Sequence, residues 1–140
     1  MNAKSFLIAG LILFTSIVNA IEVPEAVMKT FKQRFSEVKK AKWEKEKDGN
    51  YEAEFDLNGK EMSATFLANG DWRETETEIN VSELPKAVSD AFNKLYPDTK
   101  IREVSKIQRS DNSVVYETEI KIKGKRSDIL FDEKGNKLEK

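Results

Sequence analysis

Tyr51-Glu52-Ala53-Glu54-Phe55-Asp56-Leu57-Asn58-Gly59-Lys60-Glu61-Met62-Ser63-Ala64-Thr65-Phe66 is the stretch whose reading decides the fold. Tyr51, Ala53, Phe55 and Leu57 alternate with Glu52, Glu54 and Asp56, the period-two pattern of a half-buried strand. Asn58-Gly59 is the dipeptide favoured in a two-residue hairpin, because both positions must adopt positive φ. A turn placed there pairs Phe55 with Met62, Ala53 with Ala64 and Tyr51 with Phe66. All six then fall on one face, so the turn chemistry and the apolar pattern give the same register.

The same construction recurs downstream. Tyr116-Glu117-Thr118-Glu119-Ile120 repeats Tyr51-Glu52-Ala53-Glu54-Phe55, and Gly59, Phe66 and Gly70 recur as Gly124, Phe131 and Gly135. A hairpin around Lys123-Gly124 pairs Tyr116 with Phe131 and Thr118 with Ile129. Upstream of each hairpin a second pair of segments matches: Val23-Pro24-Glu25-Ala26-Val27 with Leu84-Pro85-Lys86-Ala87-Val88, then Phe31 and Phe35 with Phe92 and Tyr96. Proline, aromatics and turn glycines held in one order indicate an internal duplication.

Pro24 and Pro85 suit the first turn of a helix, where a missing N–H costs nothing. Val27, Phe31 and Phe35, and in the second copy Val88, Phe92 and Tyr96, recur every four residues as one apolar stripe for the core. Pro97 ends the second helix. A strand before each hairpin (about 39–47 and 101–109) and one after it (about 72–79) complete the unit. The predicted fold is therefore α+β: a tandem repeat of a helix plus a four-stranded antiparallel meander, in one sheet with the helices on one face. Because a unit of this size is marginal alone, the two are expected to share one core.

The first 20 residues read as a secretory signal rather than as part of the fold. Lys4 precedes an apolar run from Phe6 to Val18, and Val18-Asn19-Ala20 has the form of a cleavage site after Ala20. The run is shorter than the roughly 20 apolar residues a membrane span needs, and Gly10, Thr15 and Ser16 interrupt it. Expected, then, are a signal peptide over 1–20 and a periplasmic domain over 21–140, with repeats at about 23–79 and 84–140. The chain contains no cysteine, which leaves no lipoprotein thiol and no disulfide framework. Charged residues make up 35% of the chain but nearly cancel, at a formal net charge of −1. Neither the basic stripe of a nucleic-acid binder nor the polybasic segment of a membrane-surface protein is present.

The order of helix, strands, Gly70-Asp71-Trp72-Arg73-Glu74-Thr75-Glu76, Leu84-Pro85-Lys86-Ala87-Val88, Tyr96-Pro97 and Ile101 resembles the PepSY-like family of small exported, beta-lactamase-inhibitor-like proteins. The resemblance covers nearly the whole exported part. It implies a fold similar to the beta-lactamase inhibitory protein, with tandem helix-plus-four-strand repeats, helices on one sheet face and the other face open. Lys137 stands in the second copy where Trp72 stands in the first.

Histidine and cysteine are both absent, which removes Ser-His-Asp and Cys-His nucleophiles and the usual zinc ligand sets. No glycine-rich phosphate loop or dinucleotide fingerprint occurs. Acids alternating along a strand are ordinarily its solvated face, so a paired-carboxylate hydrolase is disfavoured. No catalytic residue, cofactor or metal ligand is assigned.

The open sheet face is the candidate surface. It should carry Glu52, Glu54 and Asp56 from one copy and Glu117, Glu119, Lys121 and Lys123 from the other. The hairpin registers set Asp56 opposite Glu61 and Glu119 opposite Asp128, which calls for compensation by a diagonal cation such as Lys121 or Arg126, or by a partner. A two-residue turn at Asn69-Gly70 points Trp72 outward beside Glu74 and Glu76. A turn one residue longer pairs Trp72 with Phe66 on the buried face and draws both carboxylates in after it, at high cost. The first arrangement is favoured, and the second copy agrees with it, since a two-residue turn at Lys134-Gly135 pairs Phe131 with Leu138. The resulting expectation is a non-enzymatic periplasmic binding or inhibitor-like module. It would engage a protein or peptide through Trp72, Glu74, Glu76, Glu52, Glu54, Glu117 and Glu119. The alternative is a small-ligand or cation-binding sensor of the envelope.

Overall fold

A computed structural model describes residues 21–139, so the expected signal peptide lies outside the described residues. Strands β1 (Lys42–Lys45), β2 (Tyr51–Leu57), β3 (Lys60–Phe66), β4 (Trp72–Glu78), β5 (Glu103–Arg109), β6 (Val114–Ile122), β7 (Lys125–Asp132) and β8 (Lys137–Leu138) run in sequence order through one antiparallel sheet. Helix α1 (Glu25–Arg34) precedes β1, and α2 (Lys86–Leu95) lies between β4 and β5.

Both helices begin immediately after a proline, with Pro24 and Pro85 as N-caps at nearly identical dihedrals. Each closes the same way: Phe35 N–H donates to the Phe31 carbonyl, and Tyr96 N–H to the Phe92 carbonyl, both at 2.8 Å. The hairpins have the register their turns dictate. Asn58-Gly59 and Lys123-Gly124 all take positive φ, and Tyr51 pairs with Phe66, Phe55 with Met62, Tyr116 with Phe131 and Thr118 with Ile129.

The expectation of a single shared core is corrected. Val27 and Phe31 of α1 pack with Tyr51, Ala53, Phe55, Ala64 and Phe66 in one buried cluster, whereas Val88 and Phe92 of α2 pack with Val104, Tyr116, Ile120, Ile129 and Phe131 in another. Between them, at the centre of the helix-bearing face, the paired strands carry polar side chains: Thr75 opposite Gln108 and Thr77 opposite Lys106. An apolar core cannot continue across such a seam without stranding those groups. The two repeats are therefore joined by the β4–β5 backbone ladder, while each helix seals its own half.

Candidate functional site

The face opposite the helices is traced row by row through the register. One row crosses almost the whole sheet: Lys42, Glu54, Ser63, Glu76, Ile107, Val115 and Asp132. Beside it run Glu44, Glu52, Thr65, Glu74 and Arg109 on one flank, and Glu78, Ser105, Glu117, Leu130 and Leu138 on the other. A further short row sets Glu119 between Glu103 and Asp128. Six of the seven predicted site residues, Glu52, Glu54, Glu74, Glu76, Glu117 and Glu119, thus share one surface.

That surface lacks a covering element among the described residues, yet its middle is poorly hydrated. Ile107 and Val115 retain 6% and 3% of their accessible surface, and Glu52 and Glu119 retain 8% and 7%. Neighbouring side chains shield one another, so the charges must be compensated locally. The Glu54 carboxylate accepts from Lys42 Nζ at 3.0 Å, and Glu74 lies 3.4 Å from Arg109 Nε. Glu119, pressed between two other acids, draws Arg102 to 3.6 Å and Arg126 to 3.3 Å. Arg126 thus supplies one of the diagonal cations that the register demanded.

Glu76, at the centre, has no such cation among the described residues. Burial pushes its carboxyl up to about 8, opposed by a hydrogen bond with Ser105 and reinforced by the charges of Glu117, Glu52 and Glu74. At neutral pH it is therefore protonated. Glu103 is also raised, first by burial and then by Glu78 and Glu119. The face is an acid field with a neutral carboxyl at its middle and apolar strips from Ile107, Val115 and the Leu130–Leu138 pair. Such a surface suits cationic side chains that bring counter-charge. No group of three or more acids among the described residues is arranged to hold a metal ion.

Trp72 requires correction. Its indole lies on the helix side, pairing with Phe66 in the register and packing against the α1 cluster. Its Nε1–H donates to Thr75 Oγ1 at 2.9 Å, and the Arg34 guanidinium sits 3.6 Å above the ring centroid. The turn is longer than two residues: Leu67 N–H bonds the Asp71 carbonyl, and Gly70 N–H the Leu67 carbonyl. The carboxylates nevertheless do not follow the indole inward, because a bulge intervenes. Phe66 pairs with Trp72 but Thr65 pairs with Glu74, leaving Arg73 as the extra residue that reverses the alternation. The second copy has the same longer turn, with bonds from Asp132 N–H to Asn136 O and from Gly135 N–H to Asp132 O. It lacks the bulge: Phe131 pairs with Lys137, and Leu130 with Leu138. The expected Phe131–Leu138 pairing is therefore also replaced.

Two local signals account for the longer turn. Asn69 Oδ1 accepts from Asp71 N–H, and Asp132 Oδ1 accepts from both Lys134 and Asn136 N–H, side-chain caps that favour a wider loop. Gly70 also lies against the backbone of Ala26, and Gly135 against that of Ala87, at the first turn of each helix. The turn is shaped to meet the helix rather than to make the tightest hairpin.

The profile of the family described as "Putative beta-lactamase-inhibitor-like, PepSY-like" matches this chain twice, over residues 15–63 and 49–139. The chain belongs to that family. Among solved structures, a "BLIP-like protein" of Bacteroides fragilis is 28% identical, with a TM-score of 0.72 over 86% of each chain. A Bacteroides eggerthii protein described among "putative periplasmic proteins" is 22% identical, with a TM-score of 0.77 over 84% of this chain and 87% of its own. None of the curated proteins matches. The two family matches fit the tandem repeat, and the solved structures share the fold of two helices on an open eight-stranded sheet. No helix among the described residues is long and apolar enough to cross a membrane.

Proposed function

We propose that this chain is an exported, non-enzymatic binding module of the periplasm, cleaved after Ala20, that engages a basic segment of another protein through its open sheet face. The carrying observation is the contrast between the two faces of one sheet. One is covered by α1 and α2, each over its own half, and the other carries Glu52, Glu54, Glu74, Glu76, Glu117 and Glu119 around the nearly inaccessible Ile107 and Val115. The likeness to a BLIP-like protein supports a protein-binding use. Its family's inhibitor-like description supports a role without catalysis. Trp72 contributes from beneath: by packing under Arg34 it fixes the Arg73 bulge that holds Glu74 and Glu76 on the open side.

Affinity capture from periplasmic extract tests this reading, with Glu54→Lys/Glu74→Lys as the open-face variant and Lys94→Glu, an exposed position on α2, as a helix-side control. Proteins retained by the wild type and the control but released by the charge reversal are expected. Equal capture by all three forms would refute it.

A further inference from the structure

The polar seam on the helix-bearing face opens into a cleft of about 540 Å³, within the size range of small-molecule sites. It is bounded by the C-terminal end of α1, by β3–β5 and by the segment leading into α2. Its chemistry is opposite to that of the open face. Thr75, Thr77 and Gln108 line it with hydrogen-bonding groups, and Phe35, Met62 and Ile79 supply apolar wall. Arg34, Lys60 and Lys106 bring three cations against one carboxylate, Glu83. That carboxylate is already committed, bonding Lys60 Nζ at 3.1 Å and the Asn80 backbone N–H at 2.9 Å. The Arg34 guanidinium lies over the Trp72 ring, 3.6 Å from its centroid, and has no hydrogen bond or ion pair among the described residues. Lys106 has no ion pair among the described residues. Among the described residues the cleft therefore holds two positive charges without an ion pair, in a chain whose formal net charge is −1.

From this charge pattern we infer that the cleft binds a small anionic amphiphile: a single carboxylate or phosphate head held by Arg34 and Lys106, with an apolar body against Phe35, Met62 and Ile79. Thr75 and Thr77 hydroxyls and the Gln108 amide complete the hydrogen bonding of the head. Lys60 pairs with Glu83, so the charges left to face an anion are those of Arg34 and Lys106. This site lies on the face away from the proposed partner surface and does not depend on it.

Titration of the isotope-labelled exported chain, followed by amide NMR, tests the inference with octanoate, octyl phosphate, inorganic phosphate and octanol as probes. Octanoate or octyl phosphate should produce saturable shifts at Thr75, Thr77 and Gln108, and whichever binds more tightly identifies the head group. Octanol, lacking the charge, should bind at least about tenfold more weakly, the loss expected for one charge-assisted hydrogen bond, and phosphate, lacking the body, at least about tenfold more weakly through lost apolar burial. Lys106→Glu should abolish the shifts. Lys106→Gln, a milder change at an exposed position, should weaken them with the spectrum otherwise intact. Octanol or phosphate binding as well as octanoate would overturn the proposal. So would octanoate binding unaffected by either Lys106 variant, or shifts at Glu54 and Glu76 in place of the cleft.

Discussion

The Arg34 guanidinium lies over the Trp72 indole at 3.6 Å from the ring centroid, tying the end of α1 to the start of β4. The indole is only partly accessible and belongs to the rim of the first-repeat cluster. Its loss removes apolar contacts, the cation–π contact and the hydrogen bond to Thr75. Trp72→Ala should lower unfolding stability by about 2–3 kcal/mol, less than a fully buried tryptophan. Arg34→Ala should cost about 1 kcal/mol. Urea denaturation followed by far-UV circular dichroism measures both, and a stability unchanged in both variants would remove the indole from the scaffold.

The turn glycines divide into two classes. An added Cβ at Gly70 would lie 2.8 Å from the Ala26 carbonyl carbon, and at Gly135 it would strike the Ala87 carbonyl oxygen, whereas at Gly124 it meets open space. All three have positive φ. Gly124→Ala therefore pays only backbone strain, about 1 kcal/mol, while Gly70→Ala and Gly135→Ala should cost clearly more because helix and turn must part. Thermal midpoints of the three variants should rank accordingly.

Glu76 gives the fold a pH dependence of predictable sign. Its carboxyl is raised from 4.5 when free to about 8 when folded, mainly by burial. The folded state thus binds the proton more tightly. Its contribution to stability is complete below about pH 4.5, is lost as pH rises toward about 8, and is constant above that. Glu76→Gln keeps a neutral side chain throughout. The variant should match the wild type near pH 4.5 and exceed it in melting temperature near pH 9. Parallel curves across this range would contradict the burial argument.

Glu119 is nearly inaccessible and stands between Glu103 and Asp128, with Arg102 and Arg126 as counter-charges. Removing both arginines leaves a shielded carboxylate among acids. Arg102→Ala/Arg126→Ala should cost about 2 kcal/mol, less than for a fully buried pair because both guanidinia are nearly half exposed. Adding Glu119→Gln should restore part of the loss. Chemical denaturation of the three forms decides whether the arginines act through this carboxylate.

The elements most legible in the sequence were those where two independent local rules agreed. Asn58-Gly59 and the alternation from Tyr51 to Phe66 each specify one register, and that register is the one observed. The helices were readable because Val27 and Phe31 recur at helical spacing behind a proline, as do Val88 and Phe92. The Trp72 side was misread because alternation is only as dependable as the phase it starts from. The wide turn at Gly70, which meets a helix distant in sequence, sets Trp72 inward, and a bulge at Arg73 that the second copy lacks then reverses the phase. The carboxylate rows survived the error because the bulge returned Glu74 and Glu76 to the open face. The polar seam left its own trace, since Thr75, Thr77, Lys106 and Gln108 are poor candidates for a buried interior. Reading them as a gap between two cores required knowing that β4 and β5 pair.

That gap has a mechanical meaning. Because the two clusters of described residues are separate, a change in twist between the halves acts on the ladder from Glu74–Arg109 to Glu78–Ser105 and on the Lys60–Glu83 ion pair. Narrowing the positively charged side must splay the negatively charged side.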